Sequence, residues 1–194
     1  METALNVVWD AAALPGERIL VIGAGVVGLL VASLLARIPA TSVVVTDVDA
    51  RRERLVQQFD CHFAIPADTP RGQDLVVHAS ATEAGLRLAL DRAGFEARIV
   101  EASWFGDLAP SVPLGEAFHS RRLRIIASQV GAIAPAMRGR RSHAERLSLA
   151  LELLEDSRYD VLLDGPTRFE DMPTAMPRIL APGGLCHVIS YGTE

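Results

Sequence analysis

Short apolar runs rich in Val, Ile and Leu alternate along the chain with longer segments whose apolar positions recur every three to four residues. The short runs are typical of buried strands, and the longer segments are typical of amphipathic helices. The pattern predicts strands at residues 18–22, 42–47, 61–65, 75–79, 97–103, 122–128, 161–164 and 185–191, with a shorter one at 112–114. It predicts helices at residues 1–13, 26–38, 50–59, 82–93, 140–156 and 170–180.

This alternation predicts an α/β fold. A parallel sheet with right-handed crossovers takes helices on both faces, which gives a three-layer αβα arrangement with a doubly wound sheet. The helix at 140–156 is the most regular one, and its periodicity predicts an inner face made of Leu147, Ala150, Leu151 and Leu154.

A glycine motif lies between the first strand and the following helix. Gly23, Gly25 and Gly28 form G-x-G-x-x-G within the segment Val-Ile-Gly-Ala-Gly-Val-Val-Gly, and Asp47 ends the second strand 19 residues after Gly28. The three glycines allow a tight turn, a close approach of the backbone to a pyrophosphate, and close contact of the helix with the strand. The acid at this distance accepts hydrogen bonds from ribose hydroxyls, so the sequence predicts a Rossmann dinucleotide-binding site.

Composition narrows the possible functions. The chain has 194 residues, a net charge of −5 and no Lys, so its cationic side chains are all Arg. The absence of Lys excludes a P-loop lysine, a pyridoxal Schiff base and a Tyr-x-x-x-Lys pair, and the acidic balance argues against a nucleic acid partner. Two cysteines, Cys61 and Cys186, form neither a disulfide framework nor a four-ligand zinc site, which favours a reduced, cytoplasmic protein.

One uncharged segment, residues 19–36, reaches the length of a membrane span. Its glycines and its strand-like beginning favour the strand–turn–helix interpretation, so we expect no membrane partner. Cys61-His62 and Cys186-His187 suggest zinc ligands, but neighbouring side chains of a strand point to opposite faces, so no metal site is predicted.

Several motifs together resemble the cofactor-binding half of the zinc-containing medium-chain alcohol dehydrogenases. The resemblance extends over nearly the whole chain. The motifs that carry it are Pro-Gly at 15–16, GAGVVG at 23–28, TDVD at 46–49, DLVVHAS at 74–80, RIVEAS at 98–103, LGEAFHSRRL at 114–123, SQVG at 128–131 and LAPGG at 180–184.

This resemblance implies a set of cofactor contacts for NAD(P). They are Gly23, Gly25 and Gly28 with the amides of Val26 and Val27 at the pyrophosphate, Asp47 and Arg52 at the adenosine ribose, Ala79 and Ser80 beside the adenosine, Ser103 and Trp104 at the nicotinamide, and Ser128 and Gln129 at the carboxamide.

The family's zinc ligands and substrate pocket belong to a GroES-like catalytic domain that precedes this region. We therefore expect residues 1–15 to form a helix that joins such a domain, and residues 16–194 to form the NAD(P)-binding domain. Catalytic residues are predicted to lie outside this chain, which alone is expected to be inactive. In this family, dimers form through the sheet edge, which implies a homodimer through residues 112–114 and 123–127.

Alternatives remain at this stage. Asp47 favours NAD over NADP, although Arg51 and Arg52 lie close to it in sequence. A non-catalytic dinucleotide-binding module is the second hypothesis. An adenosylmethionine-dependent methyltransferase is disfavoured, because Ile22 occupies the place where an acidic residue usually opens that glycine loop.

The roles of two polar residues in predicted strands also remain open. His78 either faces the cofactor or is a satisfied histidine at the strand end, and Glu101 either leans into the cleft or emerges at the sheet edge.

Overall fold

The computed structural model describes residues 1–181 and 183–192. The chain divides into two compact units, Met1–Glu155 and Asp156–Glu194. No helix within the described ranges is long and apolar enough to cross a membrane. The predicted boundary after residue 15 stays a prediction.

The first unit is built on a six-stranded sheet in the order β3-β2-β1-β4-β5-β6. All of its strand pairs are parallel, and the order reverses between β1 and β4, as in a doubly wound Rossmann sheet. This confirms the predicted fold class. The strands are β1 (Arg18–Ile22), β2 (Ser42–Thr46), β3 (His62–Ala64), β4 (Gln73–His78), β5 (Ala93–Glu101) and β6 (Arg124–Ala127).

Helices flank this sheet. They are α1 (Glu2–Ala11), α2 (Val26–Leu35), α3 (Glu53–Gln57), α4 (Glu83–Arg92) and α5 (His143–Leu153). N-cap residues determine where α4 and α5 begin. Thr82 caps α4 by accepting a hydrogen bond from the amide of Gly85, and Ser142 caps α5 in a reciprocal capping box with Glu145.

The core lies on both faces of the sheet because successive strand residues point to opposite sides. Leu20, Val76 and Ile99 lie on one face and pack with Ala89 and Leu90 of α4. The alternating residues, such as Ile19, Val21, Leu75 and Val77, are equally buried and point to the face that α1 and α2 cover.

The predicted inner face of α5 is largely wrong. Leu147 and Leu151 are exposed, the latter by 59%, whereas Ala150 is buried as predicted. The inward position next to Ala150 belongs instead to Arg146, which is only 2% exposed. Its guanidinium donates to Glu2 Oε1 at 2.9 Å, to Asn6 Oδ1 at 2.8 Å and to the Val130 carbonyl. Polar partners on α1, rather than leucine periodicity, set the rotation of this helix.

Residues 112–114 were predicted as a strand, and this prediction is wrong. They form no strand, and the backbone takes a π-helical turn at Leu114–His119 with a kink at Glu116. The cap residue of this turn is Pro113, which has no amide hydrogen to donate to a neighbouring strand of a sheet.

The second unit contains β7 (Leu163–Arg168), α6 (Met172–Ile179) and β8 (Cys186–Ser190). The two strands pair in parallel with each other as a separate two-stranded sheet. They lie close to the predicted strands at 161–164 and 185–191. The turn predicted at 182–184 includes Pro182, which lies outside the described residues.

Candidate functional site

The glycine motif forms a tight turn between β1 and α2. Gly23 has a φ of +107°, and a Cβ there would lie 2.9 Å from the carbonyl oxygen of Ala79, the residue directly after β4. A Cβ on Gly28 would overlap the carbonyl oxygen of Gly23, so a side chain there would force helix and turn apart. Gly25, in contrast, has nothing within 4 Å of an added Cβ. The turn is therefore closed on two sides and open at Gly25.

The opening at Gly25 coincides with the beginning of α2. Gly25 is the N-cap residue of α2, and the first amides of the helix, those of Val26 and Val27, belong to its first turn. The first amides of a helix have no partner within the helix and carry partial positive charge, which makes this end an anion-binding position.

Asp47 connects this turn to the end of β2. Its Oδ2 accepts a hydrogen bond from the Ala24 amide at 2.7 Å, and its Oδ1 accepts one from the Asp49 amide at 2.9 Å. The Gly23 amide also donates to the Thr46 carbonyl at 2.8 Å. A carboxylate has about four lone-pair sites, so Asp47 retains acceptor capacity beyond these two bonds.

A cleft of about 500 Å³ opens at the carboxyl ends of β1, β2 and β4. This is the edge where the strand order reverses, the usual ligand position in open α/β sheets. Its lining includes predicted cofactor residues, namely Gly23, Gly25, Asp47, Ala79 and Ser80. Eight further residues line the cleft that the sequence did not predict as cofactor contacts, namely Ile22, Thr46, Val48, Pro66, Thr82, Ala84, Gly85 and Leu88. Thr82 and Gly85 had a usable signal, since a hydroxyl residue just before a helix after β4 predicts an N-cap close to this edge.

The remaining predicted residues lie outside the lining of this cleft. Arg52 is half-buried and lies 3.9 Å from Asp49. Ser103 follows β5, where its hydroxyl accepts a hydrogen bond from the Ala81 amide at 3.0 Å. Trp104 follows it and is 89% exposed.

Two further predicted residues follow β6. Ser128 donates its hydroxyl to Asp10 of α1 at 2.7 Å and its amide to the Glu101 carbonyl at 2.9 Å, and Gln129 is exposed. The structure therefore brings the adenosine-side residues together at the cleft. It distributes the nicotinamide-side residues along the ends of β5 and β6.

His78 and Glu101, whose roles the sequence leaves open, belong to one hydrogen-bonded cluster. His78 ends β4 with no exposed surface, and its Nδ1 lies 2.6 Å from Glu101 Oε2. Its Nε2 lies 2.8 Å from Ser80 Oγ, which lies 3.0 Å from Thr82 Oγ1. His78 is thus a satisfied histidine, and its partner Ser80 lines the cleft.

Charged groups near Asp47 are engaged with each other. Arg51 donates from Nε to Asp49 Oδ1 at 2.8 Å and from Nη2 to Asp49 Oδ2 at 2.9 Å. The hydrogen bonds from the Arg51 side chain are the main cause that lowers the pKa of Asp49. In the described part of the chain, no three His, Cys, Asp or Glu side chains are grouped so that they could hold a metal ion.

Comparison with known proteins finds no matching family model. A curated relative, L-threonine 3-dehydrogenase from Pectobacterium carotovorum subsp. carotovorum (strain PC1), is 32% identical over 81 residues, which are 42% of this chain and 23% of the relative. The matched segment is therefore a small part of that protein.

Solved structures match nearly the whole chain. A protein described as a zinc-binding dehydrogenase from Sinorhizobium meliloti 1021, bound to NADP, has a TM-score of 0.77 at 17% identity, with 98% of this chain and 57% of that chain covered. L-idonate 5-dehydrogenase from Escherichia coli has a TM-score of 0.78 at 15% identity, with 98% and 54% covered. A protein described as a short chain alcohol dehydrogenase from E. coli CFT073, complexed with NADH, has a TM-score of 0.77 at 18% identity, with 98% and 57% covered.

The chain thus spans about half the length of these dehydrogenases and has the fold of that half. At these identities the likeness is one of fold. It confirms that the chain resembles a dehydrogenase cofactor-binding half in architecture.

Proposed function

We propose that this chain binds a nicotinamide dinucleotide and is the cofactor-binding domain of a zinc-type medium-chain alcohol dehydrogenase-like oxidoreductase. The observation that carries the proposal is the cleft at the carboxyl edge of the sheet. There the open turn at Gly25, the beginning of α2 and the Asp47 carboxylate converge.

Each part of this cleft fits one part of the ligand. The space at Gly25 admits a pyrophosphate next to the amides of Val26 and Val27, which would donate hydrogen bonds to its oxygens. The free acceptor capacity of Asp47 suits the hydroxyls of the adenosine ribose. Ala79 and Ser80 would contact the adenosine at the end of β4.

The nicotinamide would lie farther along the same edge, past the ends of β5 and β6. There Ser103, Trp104, Ser128 and Gln129 are the candidate neighbours. When bound, the nicotinamide supplies hydride transfer with an alcohol or carbonyl carbon in the intact enzyme. The zinc site and the substrate pocket would come from a further domain, so we expect no turnover from this chain alone.

NAD is the preferred cofactor in this proposal. A 2′-phosphate placed beside the Asp47 carboxylate would be repelled, and the nearby Arg51 guanidinium already donates to Asp49 instead of facing such a phosphate. We further propose a cytoplasmic homodimer that forms through the sheet edge at β6. Size-exclusion chromatography with light scattering tests the dimer, and a monomer at tens of micromolar would count against it.

The deciding experiment is a calorimetric or fluorescence titration of the purified chain with NADH and NADPH. We expect NADH to bind more tightly than NADPH, and adenosylmethionine not to compete with it. Competition by adenosylmethionine would favour the methyltransferase interpretation instead. Absence of binding by both dinucleotides would contradict the proposed function of this chain.

A further inference from the structure

The His78 cluster reaches from the interior of the sheet to the cleft. It begins at Glu101 on β5, passes through His78 on the neighbouring β4, and ends at the hydroxyls of Ser80 and Thr82, which both line the cleft. Helix α4 lies directly over this chain of contacts. A Cβ on Gly85 would lie 2.6 Å from His78 Nε2 and 2.9 Å from Thr82 Oγ1, so only a glycine leaves room for them.

We propose that Glu101, acting through His78, fixes the direction of the Ser80 and Thr82 hydroxyl protons, so that both oxygens meet a ligand in the cleft as hydrogen-bond acceptors. The inference rests on the proposed function for the identity of that ligand. It assigns Glu101 and His78 as positioning residues and Ser80 and Thr82 as contacts that select N–H or O–H donors, such as a ribose hydroxyl or the adenine amine.

Glu101 and His78 share one proton in a short hydrogen bond. A carboxylate oxygen only 2.6 Å from Nδ1 requires a proton between the two atoms, and Glu101 Oε1 already accepts the Ser103 amide at 2.8 Å. In a neutral imidazole that proton sits on Nδ1, which leaves Nε2 as an acceptor.

The position of the proton on His78 determines which way the Ser80 and Thr82 hydroxyls donate. Because Nε2 accepts, the Ser80 hydroxyl donates its only proton to His78 across 2.8 Å. The Thr82 oxygen accepts the Gly85 amide at 3.0 Å, and its own proton must then go to Ser80, 3.0 Å away. Both protons are thus committed within the cluster, and both oxygens present lone pairs to the cleft.

Ser103 lies beside the relay. Its hydroxyl accepts the Ala81 amide at 3.0 Å and lies 3.3 Å from both the carbonyl oxygen and Nδ1 of His78. Because Nδ1 carries the proton that Glu101 accepts, the Ser103 hydroxyl donates to the carbonyl, which ties the end of β5 to the segment after β4. Its amide fixes one oxygen of Glu101. Glu101 can therefore face His78 with the other oxygen only.

This fixed orientation makes Glu101→Gln a sharp test, since the variant keeps the size of the side chain. The Ser103 amide needs an acceptor, so the glutamine carbonyl takes the Oε1 place and the NH₂ group faces His78 Nδ1. The ring must then accept at Nδ1 and carry its proton on Nε2. Nε2 would donate to Ser80, and a hydroxyl proton would be released towards the cleft.

The experiment measures the His78 tautomer and dinucleotide affinity on the same samples. Long-range ¹H–¹⁵N spectra of the ligand-free chain, with His78 assigned through its backbone, should show a neutral ring protonated on Nδ1 in the wild type and on Nε2 in Glu101→Gln. NADH affinity should fall about tenfold in Glu101→Gln, the size expected when one hydrogen bond is lost or reversed. The matched control is Glu83→Gln, which removes the same charge from a carboxylate bonded to Arg87 and the Ser111 amide instead, and should leave both readouts unchanged.

A double-mutant cycle decides whether the effect passes through the serine. Ser80→Ala interrupts the relay, so adding Glu101→Gln to it should not weaken NADH binding further. An equal loss in both backgrounds, an unchanged affinity in Glu101→Gln, or a wild-type ring protonated on Nε2 or on both nitrogens would overturn the inference. If the wild type binds neither NADH nor NADPH, the proposed function fails instead, and the ligand-free spectra still decide whether Glu101 sets the tautomer.

Discussion

Asp47 accepts a hydrogen bond from the backbone amide of Ala24 at 2.7 Å, so the acidic residue at the end of β2 also fixes the glycine turn after β1. The amide of Asp49 occupies its other oxygen. A residue that would bind the ribose therefore also shapes the place where the pyrophosphate would lie. Substitutions at Asp47 should affect both the affinity for the dinucleotide and the stability of the first unit.

We predict that Asp47→Ala weakens NADH binding by more than tenfold and lowers the free energy of unfolding by about 1–2 kcal/mol, because the Ala24 amide loses its partner. Asp47→Asn keeps an acceptor but removes the charge. It should therefore bind NADPH better relative to NADH than the wild type does. Titration with both cofactors and urea unfolding of all three proteins check this. Equal stability of Asp47→Ala and the wild type would contradict the structural role.

The glycine motif offers a matched pair of substitutions. Gly25→Ala should leave stability nearly unchanged, since an added Cβ meets nothing within 4 Å and the backbone there is extended. It should nevertheless abolish measurable NADH binding, because the methyl group would occupy the pyrophosphate position. Gly28→Ala should destabilise the fold by about 2 kcal/mol or more, because its Cβ would overlap the Gly23 carbonyl oxygen.

Thermal unfolding and NADH titration separate these two effects. If Gly25→Ala bound NADH like the wild type, the pyrophosphate position would have to lie elsewhere. If Gly28→Ala unfolded like the wild type, the close contact between α2 and the turn would be wrong.

The two cysteines should differ sharply in reactivity. Burial is the main cause that raises the pKa of the Cys61 thiol to about 12, and the Asp60 charge adds to it, whereas Cys186 is exposed. Since the thiolate is the reactive form, Cys61 should stay protonated and unreactive at pH 8. A thiol assay should therefore detect one fast group in the native chain and two in guanidinium chloride. Native Cys186→Ser should show none, and a fast reaction of that variant would contradict the burial of Cys61.

The sequence predicted those parts of the site that depend on local spacing. The turn at Gly23 and Gly25 and the acid at Asp47 lie next to their own strands, so strand pattern and spacing sufficed to place them at one edge of the sheet. The relay between His78 and Glu101 depends on the register of β4 against β5, in which these two residues are direct partners. No sequence pattern around His78 or Glu101 indicates that the two side chains are partners, so the sequence leaves the role of each residue open.

Long-range polar contacts explain the failure at α5. Leu147 and Leu151 have the spacing of an inner face, but Arg146 is the residue whose partners, Glu2 and Asn6, lie on α1 at the other end of the unit's sequence. Hydrophobic periodicity does not detect a buried guanidinium with distant partners. The strand predicted at 112–114 failed for a local reason, since Pro113 cannot donate to a ladder.

This orientation of α5 leads to a final prediction. Arg146→Met should lower the free energy of unfolding by about 3 kcal/mol, because it takes the guanidinium donor away from Glu2 and the Val130 carbonyl and leaves Asn6 Oδ1 with the Ala134 amide as its one remaining donor. Leu151→Gln lies on the exposed face of the same helix and should change stability by less than about 0.5 kcal/mol. Urea unfolding followed by circular dichroism compares the two variants with the wild type. The reverse order, with Leu151→Gln the more damaging, would mean that the leucine face is the buried one and that α5 is rotated from the orientation described above.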